Sequence, residues 1–255
     1  MKELGDKILT YWDNRAEGYS QYNQEELAGD KWPEWIAQME EHLPDAERRT
    51  IKILDIGTGP GFFAILLAER GYQGYQVTAI DCTEQMLVEA KKNAGALADQ
   101  ICWKVMDAQT LEFADNSFDL VVSRNLTWVL EEPKQAYAEW YRVLKSGGIL
   151  LNYDANWYRY LYDEKMRKGY EADRAATRQM DIRDEYINTD IDAMEEIARG
   201  VPLSRELRPE WDEKVLRDVG FLDIQSDKDI WQMLWTEDEK INFASTPMFE
   251  IAAIK

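Results

Sequence analysis

The sequence predicts an α/β protein built on a parallel sheet covered by helices on both faces, and three observations carry that reading. From residue 51 onward, short apolar runs alternate with helical stretches, the rhythm of β-α units. The apolar runs are continuous rather than alternating, as strands buried on both faces must be. The first run, "IKILDI" (51–56), opens into "GTGPGFF", a glycine-dense turn of the kind that lets backbone approach a ligand.

Each element has its own warrant. Residues 1–45 are helical and aromatic and read as a cap. "IKILDI" is the first strand, and Pro60 suits the first turn of the helix "GFFAILLAERG", where its missing N–H is not needed. "YQVTAID" (75–81) is the second strand; Met86, Leu87, Ala90, Ala94 and Leu97 then form a helical stripe. "ICWKVMD" (101–107) and "FDLVVS" (118–123) are the third and fourth. The next helix starts near Pro133, turns Ala136, Tyr137, Trp140, Tyr141 and Leu144 inward, and stops at Gly147. "GGILLNYD" (147–154) is the fifth strand. A helix-rich insertion of mixed charge, 155–208, interrupts the sheet there. It is followed by a helix in "RPEWDEKVLRDVGF" and by strands in "FLDIQSD" and "MFEIAAIK". Residues 1–255 thus read as one domain, capped by 1–45 and by the insertion.

Composition narrows the function classes. The chain has 255 residues and a net charge of −19, from 49 acids against 30 bases. Such a surface repels phosphate backbones, which argues against a nucleic-acid partner. No apolar run approaches the ~20 residues of a membrane span, and the N-terminal stretch has no uninterrupted apolar core like that of a signal peptide; a cytoplasmic protein with no membrane partner is expected. Two cysteines, Cys82 and Cys102, allow no disulfide framework. The single histidine, His42, reads as a surface residue at a helix end, and no metal site is expected.

Ligands of open parallel sheets bind beyond the carboxyl ends of the strands. Those ends carry Asp55, Asp81, Asp107 and Asp154. One such acid means little, because Asp often caps the following helix; acids ending three strands in succession mean more. Asp81 lies at the right distance after the glycines to accept hydrogen bonds from ribose hydroxyls, and Asp107 with Ala108 sits where an adenine could be held. Gly59, Gly61 and Ala64 also satisfy G-x-G-x-x-A, which keeps an NAD(P)-dependent oxidoreductase open, and Tyr141 and Lys145 have the Tyr-x-x-x-Lys spacing of short-chain dehydrogenases. Against this, a carboxylate at Asp55 is unhelpful beside a pyrophosphate but attracts a sulfonium or ammonium group.

Asp55-Ile-Gly57-Thr-Gly59-Pro-Gly61, Asp81, Asp107-Ala108, "FDLVVSRNLTWVL" and "RVLKSGGILL" together resemble the successive motifs of class I S-adenosylmethionine-dependent methyltransferases. The resemblance covers 51–154 closely and 209–255 loosely. It implies a Rossmann-like, doubly wound seven-stranded sheet with an antiparallel last strand. It also implies that the glycine loop meets the methionine moiety of S-adenosyl-L-methionine, Asp81 the ribose and Asp107 the adenine. Cys82, Met86, Arg124 and Asn125 join this candidate cofactor set, as do Trp12 and Arg15 from the cap. The implied reaction leaves S-adenosyl-L-homocysteine and methylates a small molecule.

The acceptor is less legible. Trp128 stands where many relatives place a histidine, and the Asn-Pro-Pro-Tyr signature of DNA and protein amide methyltransferases is absent. In the cap, Ile8, Tyr11, Trp12, Tyr19 and Tyr22 recur at helical spacing with Arg15 on the same stripe. That pattern is either packing or a lid in which Arg15 meets a carboxylate and a tyrosine the sulfonium. Tyr19, with Asp154 and Asn156 just beyond the fifth strand, forms the candidate catalytic, acceptor-contacting set; a helix cap is the alternative for the latter two. Without a histidine base in any motif, a nitrogen or sulfur acceptor is favoured over oxygen. A nucleotide-binding protein without chemistry is the remaining alternative.

Overall fold

The computed structural model describes residues 2–43, 50–70, 74–186 and 189–255; the expected end of the cap at residue 45 lies outside them. Two helices come first, α1 (Lys2–Ala28) and α2 (Trp32–His42). Strands and helices then alternate: β1 (Ile51–Ile56), α3 (Phe62–Arg70), β2 (Tyr75–Asp81), α4 (Glu84–Ala94), β3 (Cys102–Val105), β4 (Phe118–Arg124), α5 (Pro133–Val143) and β5 (Leu144–Asp154). The insertion supplies α6 (Glu164–Met180) and α7 (Ile191–Gly200). After it come α8 (Glu210–Val219), β6 (Leu222–Asp227), α9 (Trp231–Leu234), α10 (Glu237–Asn242) and β7 (Phe249–Ile254).

The seven strands form one sheet in the order β3-β2-β1-β4-β5-β7-β6. Pairing is parallel from β3 through β5, and β7 runs antiparallel to both β5 and β6. The continuous apolar runs are explained by their burial: Ile53, Leu54, Ile56, Leu120, Val121 and Val122 are all inaccessible, because helices cover both faces. On one face Phe62, Phe63, Leu66 and Leu67 of α3 pack with Trp35 and Met39 of α2; on the other, Tyr137 and Trp140 of α5 pack with Leu216 of α8.

Three details differ from the sequence expectation. The helix expected to run to Gly147 ends at Val143, and Leu144 already begins β5. The register of β4 and β5 shifts between the Phe118 and Leu120 pairings, and the extra β5 residues include Gly147 at φ +74, so that glycine serves a bulge rather than a helix stop. Pro60 precedes α3 rather than standing in its first turn. Between β6 and β7, where no helix was expected, α9 and α10 fold; the second is fastened by a capping box between Thr236 and Glu239. Among the described residues, no helix is long and apolar enough to cross a membrane.

Candidate functional site

Strand order reverses on either side of β1, whose neighbours are β2 and β4, and a crevice opens there at the strands' carboxyl ends. The loop after β1 shapes its floor. Gly57, Gly59 and Gly61 have φ of +66, +53 and +96, a region that disfavours any side chain. They serve different ends. A Cβ on Gly57 would lie 2.7 Å from the Leu126 side chain, and one on Gly61 would meet Ile65 and Ala90 at 3.1 and 3.2 Å, so both positions keep protein packed close. A Cβ on Gly59 would face the Tyr19 ring at 3.6 Å, in the open crevice.

The acids take distinct places around this loop. Asp55, 2% exposed, accepts hydrogen bonds from Thr58 Oγ1 (2.6 Å) and the Ala64 amide (3.1 Å), tying the start of α3 to β1. Burial pushes its carboxyl up to about 7, against the lowering effect of those bonds. Asp81 accepts from the amides of Gly59 and Thr83, each at 2.9 Å, and burial raises it as well. Asp107 is exposed and accepts from the Gln109 amide at 2.8 Å.

Helix α1 roofs the crevice and divides it into two cavities. The first, about 510 Å³, is lined by Gly57, Gly59, Asp55, Asp81, Asp107 and Ala108, with Cys82 and Met86 beside them. The second, about 460 Å³, has aromatic walls: Trp128 stacks on Tyr158 at 4.8 Å, and Phe243 meets Trp157 and Trp235 edgewise or tilted at 5.3 and 5.6 Å. Trp12, Tyr19, Arg124 and Asn125 line both cavities. The roof is fastened at this junction: Arg124 at the end of β4 makes a bidentate ion pair with Glu26 of α1, at 2.7 and 2.8 Å. The Arg124 guanidinium also lies 4.1 Å from the centre of the Phe62 ring. Burial pushes the Tyr19 phenol above its usual range, with Arg124 and an Asn125 hydrogen bond opposing, so it is protonated at neutral pH.

Most of the expected cofactor residues therefore line the first cavity, with two exceptions, and two of the expected catalytic residues line neither. Gly61 packs against α4 and does not line it. Arg15 lines the second cavity instead. Asp154 and Asn156 line neither cavity, which corrects their expected contact with the acceptor. Asp154 is fully buried and accepts from Arg208 (2.7 Å), Thr127 Oγ1, the amides of Trp128 and Ala155, and Trp157 Nε1 (3.0 Å). Arg208 in turn grips Asp212 at 2.8 and 2.9 Å, so this carboxylate is consumed by an internal network and acts on the second cavity only by holding Trp128 and Trp157. Asn156 exchanges two hydrogen bonds with the Arg208 backbone.

Two other sequence signals resolve as structure. Tyr141 packs on Phe221, and Lys145 pairs with Asp119 at the amino end of β5, opposite the crevice; they form no catalytic pair. His42 is half-buried and bonded to Glu250 at 3.1 Å, away from both cavities. The residues that sequence missed are Glu26, the partner of Arg124, and the distant segments that complete the second cavity: Arg183, Glu185 and Tyr186, then Trp235, Glu239 and Phe243. Glu26 carried a faint signal, lying one helical turn beyond Tyr22 on the aromatic stripe; the others carried none.

Comparison with known proteins agrees with this geometry. Residues 54–152 match the family described as "Methyltransferase domain". The ubiquinone/menaquinone biosynthesis C-methyltransferase UbiE of Roseobacter denitrificans is 37% identical over 132 residues, covering 49% of this chain and 50% of that protein. The chain thus spans about half the length of the curated relatives it matches. Among solved structures, the phosphoethanolamine N-methyltransferase 2 of Haemonchus contortus in complex with S-adenosyl-L-methionine superposes with a TM-score of 0.61 at 18% identity, over 92% of this chain and 56% of that one. The [4+2]-cyclase SpnF superposes with a TM-score of 0.56 at 18% identity, over 87% and 80%. At such identities the likeness is one of fold, and a cyclase shares it. The matched sequence and the sheet order agree: residues 54–152 are similar to a methyltransferase domain and lie in a seven-stranded sheet with an antiparallel last strand.

Proposed function

We propose that this chain transfers the methyl group of S-adenosylmethionine to a nitrogen or sulfur atom of a small molecule held in the aromatic cavity. The observation that carries the proposal is the junction itself, where Trp12, Tyr19, Arg124 and Asn125 belong to both cavities. A methyl donor in one cavity and an acceptor in the other would meet across these residues. The first cavity suits the cofactor: Gly59 leaves room that a side chain would fill, Asp81 and Asp107 suit the ribose and adenine, and Asp55 suits the ammonium end. Bound there, S-adenosylmethionine supplies a methyl group already activated by its sulfonium. The residues of this chain then align the acceptor and exclude water, which is where most of the rate arises. Tyr19, protonated, orients by hydrogen bonding rather than by abstracting a proton.

The second cavity supports this acceptor class. Its carboxylates, Glu25, Glu26, Asp184, Glu185 and Glu239, outnumber its guanidiniums, Arg15, Arg124 and Arg183. Aromatic walls with an excess of negative charge favour an amine that arrives protonated. Such an amine loses its proton to water or to a carboxylate before attack, so no histidine is needed. The relatives leave the acceptor atom open, being named for carbon and nitrogen transfer, and most of the second cavity lies outside residues 54–152. The test has two steps. S-adenosylhomocysteine should raise the melting temperature and NAD(P)H should not; the reverse would refute the cofactor. Turnover with a panel of amines, thiols, phenols and carbon acids should methylate an amine or thiol. Methylation confined to carbon or oxygen would refute the acceptor class.

A further inference from the structure

We propose that Asn23, on the roofing helix α1, binds the α-ammonium group of the cofactor, so that the helix is fastened to the sheet by the ligand as well as by the Glu26–Arg124 pair. This rests on the cofactor proposed above. Asn23 is 1% exposed and lines the cofactor cavity. Its amide nitrogen donates to Glu26 Oε2 at 3.0 Å, and Glu26 is itself clamped by Arg124. That fixes the orientation of the amide, since exchanging its oxygen and nitrogen would set an oxygen against a carboxylate. Its Oδ1 is left buried with no hydrogen-bond partner among the described residues. Buried carbonyl oxygens are rarely left so, and Asn23 is among the residues that line the first cavity.

The oxygen needs a donor. The cofactor has donors at three places: the adenine amine, the ribose hydroxyls and the ammonium. Strand order separates them. Asp81 ends β2, and Asp107 follows β3, on one side of β1; Arg124 ends β4 on the other side. Helix α1 spans the crevice, with Ser20 and Gln24 bonded to Asn93 of α4 and Asn23 joined through Glu26 to Arg124, so the side chain of Asn23 is tied to the β4 end. Asn125, the residue after Arg124, holds φ +56 and presents a second buried oxygen with no partner among the described residues. An ammonium brings three N–H donors, and Asp55, Asn23 and Asn125 offer acceptors from β1, α1 and the end of β4 around one cavity.

The test is a comparison of ligands within each protein. Titration calorimetry measures the binding of S-adenosylhomocysteine, of its deaminated analogue carrying hydrogen in place of the α-amino group, and of 5′-methylthioadenosine, which lacks the whole amino-acid portion. Asn23→Ala should weaken S-adenosylhomocysteine about tenfold, the scale of one lost hydrogen bond to a charged group, and leave both analogues within about twofold of wild type. Asn23→Ser, which keeps a small polar group on the helix, provides the same comparison should the alanine variant fold poorly. Equal weakening of all three ligands, or none, in a folded variant would overturn the assignment. Wild-type protein that fails to bind S-adenosylhomocysteine at all would overturn the cofactor, and this inference with it.

Discussion

Asp55 offers the sharpest perturbation. Burial lifts its carboxyl from 3.8 to about 7, a displacement of about three pH units, or ~4 kcal/mol of disfavoured charge. Between those limits the folded chain keeps a proton that the unfolded chain has lost. The Asp55 term therefore lowers stability as pH rises from about 4 to about 7 and is constant above. A cofactor ammonium beside the carboxylate reverses the balance by favouring the charged form. Below pH 7, binding S-adenosylhomocysteine should then expel up to one proton, and affinity should fall by as much as tenfold per pH unit. Calorimetry in buffers of different ionisation enthalpy counts that proton directly. Burial also raises Asp81 and Glu26, so the decisive quantity is the difference between wild type and Asp55→Asn, whose amide can still accept from Thr58 or Ala64. Wild type should release close to one proton more than Asp55→Asn in mildly acid buffer, and no more in alkaline buffer. The variant should also bind more weakly at alkaline pH by ~1.5–3 kcal/mol, the worth of a hydrogen bond to a charged group. Equal proton release by the two proteins would refute the placement of the ammonium at Asp55.

Other perturbations separate roles that look alike in sequence. Gly59→Val should abolish S-adenosylhomocysteine binding in a folded protein, since its side chain would enter the crevice toward Tyr19; unchanged binding would place the cofactor elsewhere. Gly61→Ala should instead lower the melting temperature by the equivalent of ~1–3 kcal/mol, through crowding against Ile65 and Ala90 and a strained φ. His42→Ala should leave activity nearly intact. The hydrogen bond to Glu250 raises the His42 pKa above 6.5, against the opposing effect of burial. The pair's stabilisation is therefore fully present below 6.5 and is lost as pH rises through the folded pKa; chemical denaturation should find the variant's deficit larger in acid than in alkaline buffer. A hundredfold loss of activity in folded His42→Ala would make it the base after all.

What the sequence revealed and what it hid follow from the range of each interaction. Strands buried on both faces must be apolar throughout, and a ligand loop needs glycine within a few residues of a strand end; both signals are local, and both pointed to the first cavity. The second cavity is tertiary. Tyr186 lies between α6 and α7, and Trp235 and Phe243 just past the ends of α9 and α10; nothing in their immediate neighbours distinguishes a cavity wall from ordinary packing. Asp154 misled for the same reason, because a carboxylate at a strand end looks alike whether it faces a ligand or Arg208, 54 residues later in the chain. Glycine density also overstated its case: Gly61 does not line the cavity, and of the three glycines only Gly59 would hold a Cβ with no neighbour closer than 3.6 Å.

The central claim is that the two cavities exchange a methyl group. The most direct measurement is mass spectrometry of a pool of small amines, thiols, phenols and carbon acids incubated with S-adenosylmethionine and either wild-type protein or Gly59→Val. The account predicts that wild type alone produces S-adenosylhomocysteine together with one amine or thiol heavier by the mass of CH₂. No such gain in any compound, from folded protein that binds S-adenosylhomocysteine, would contradict it.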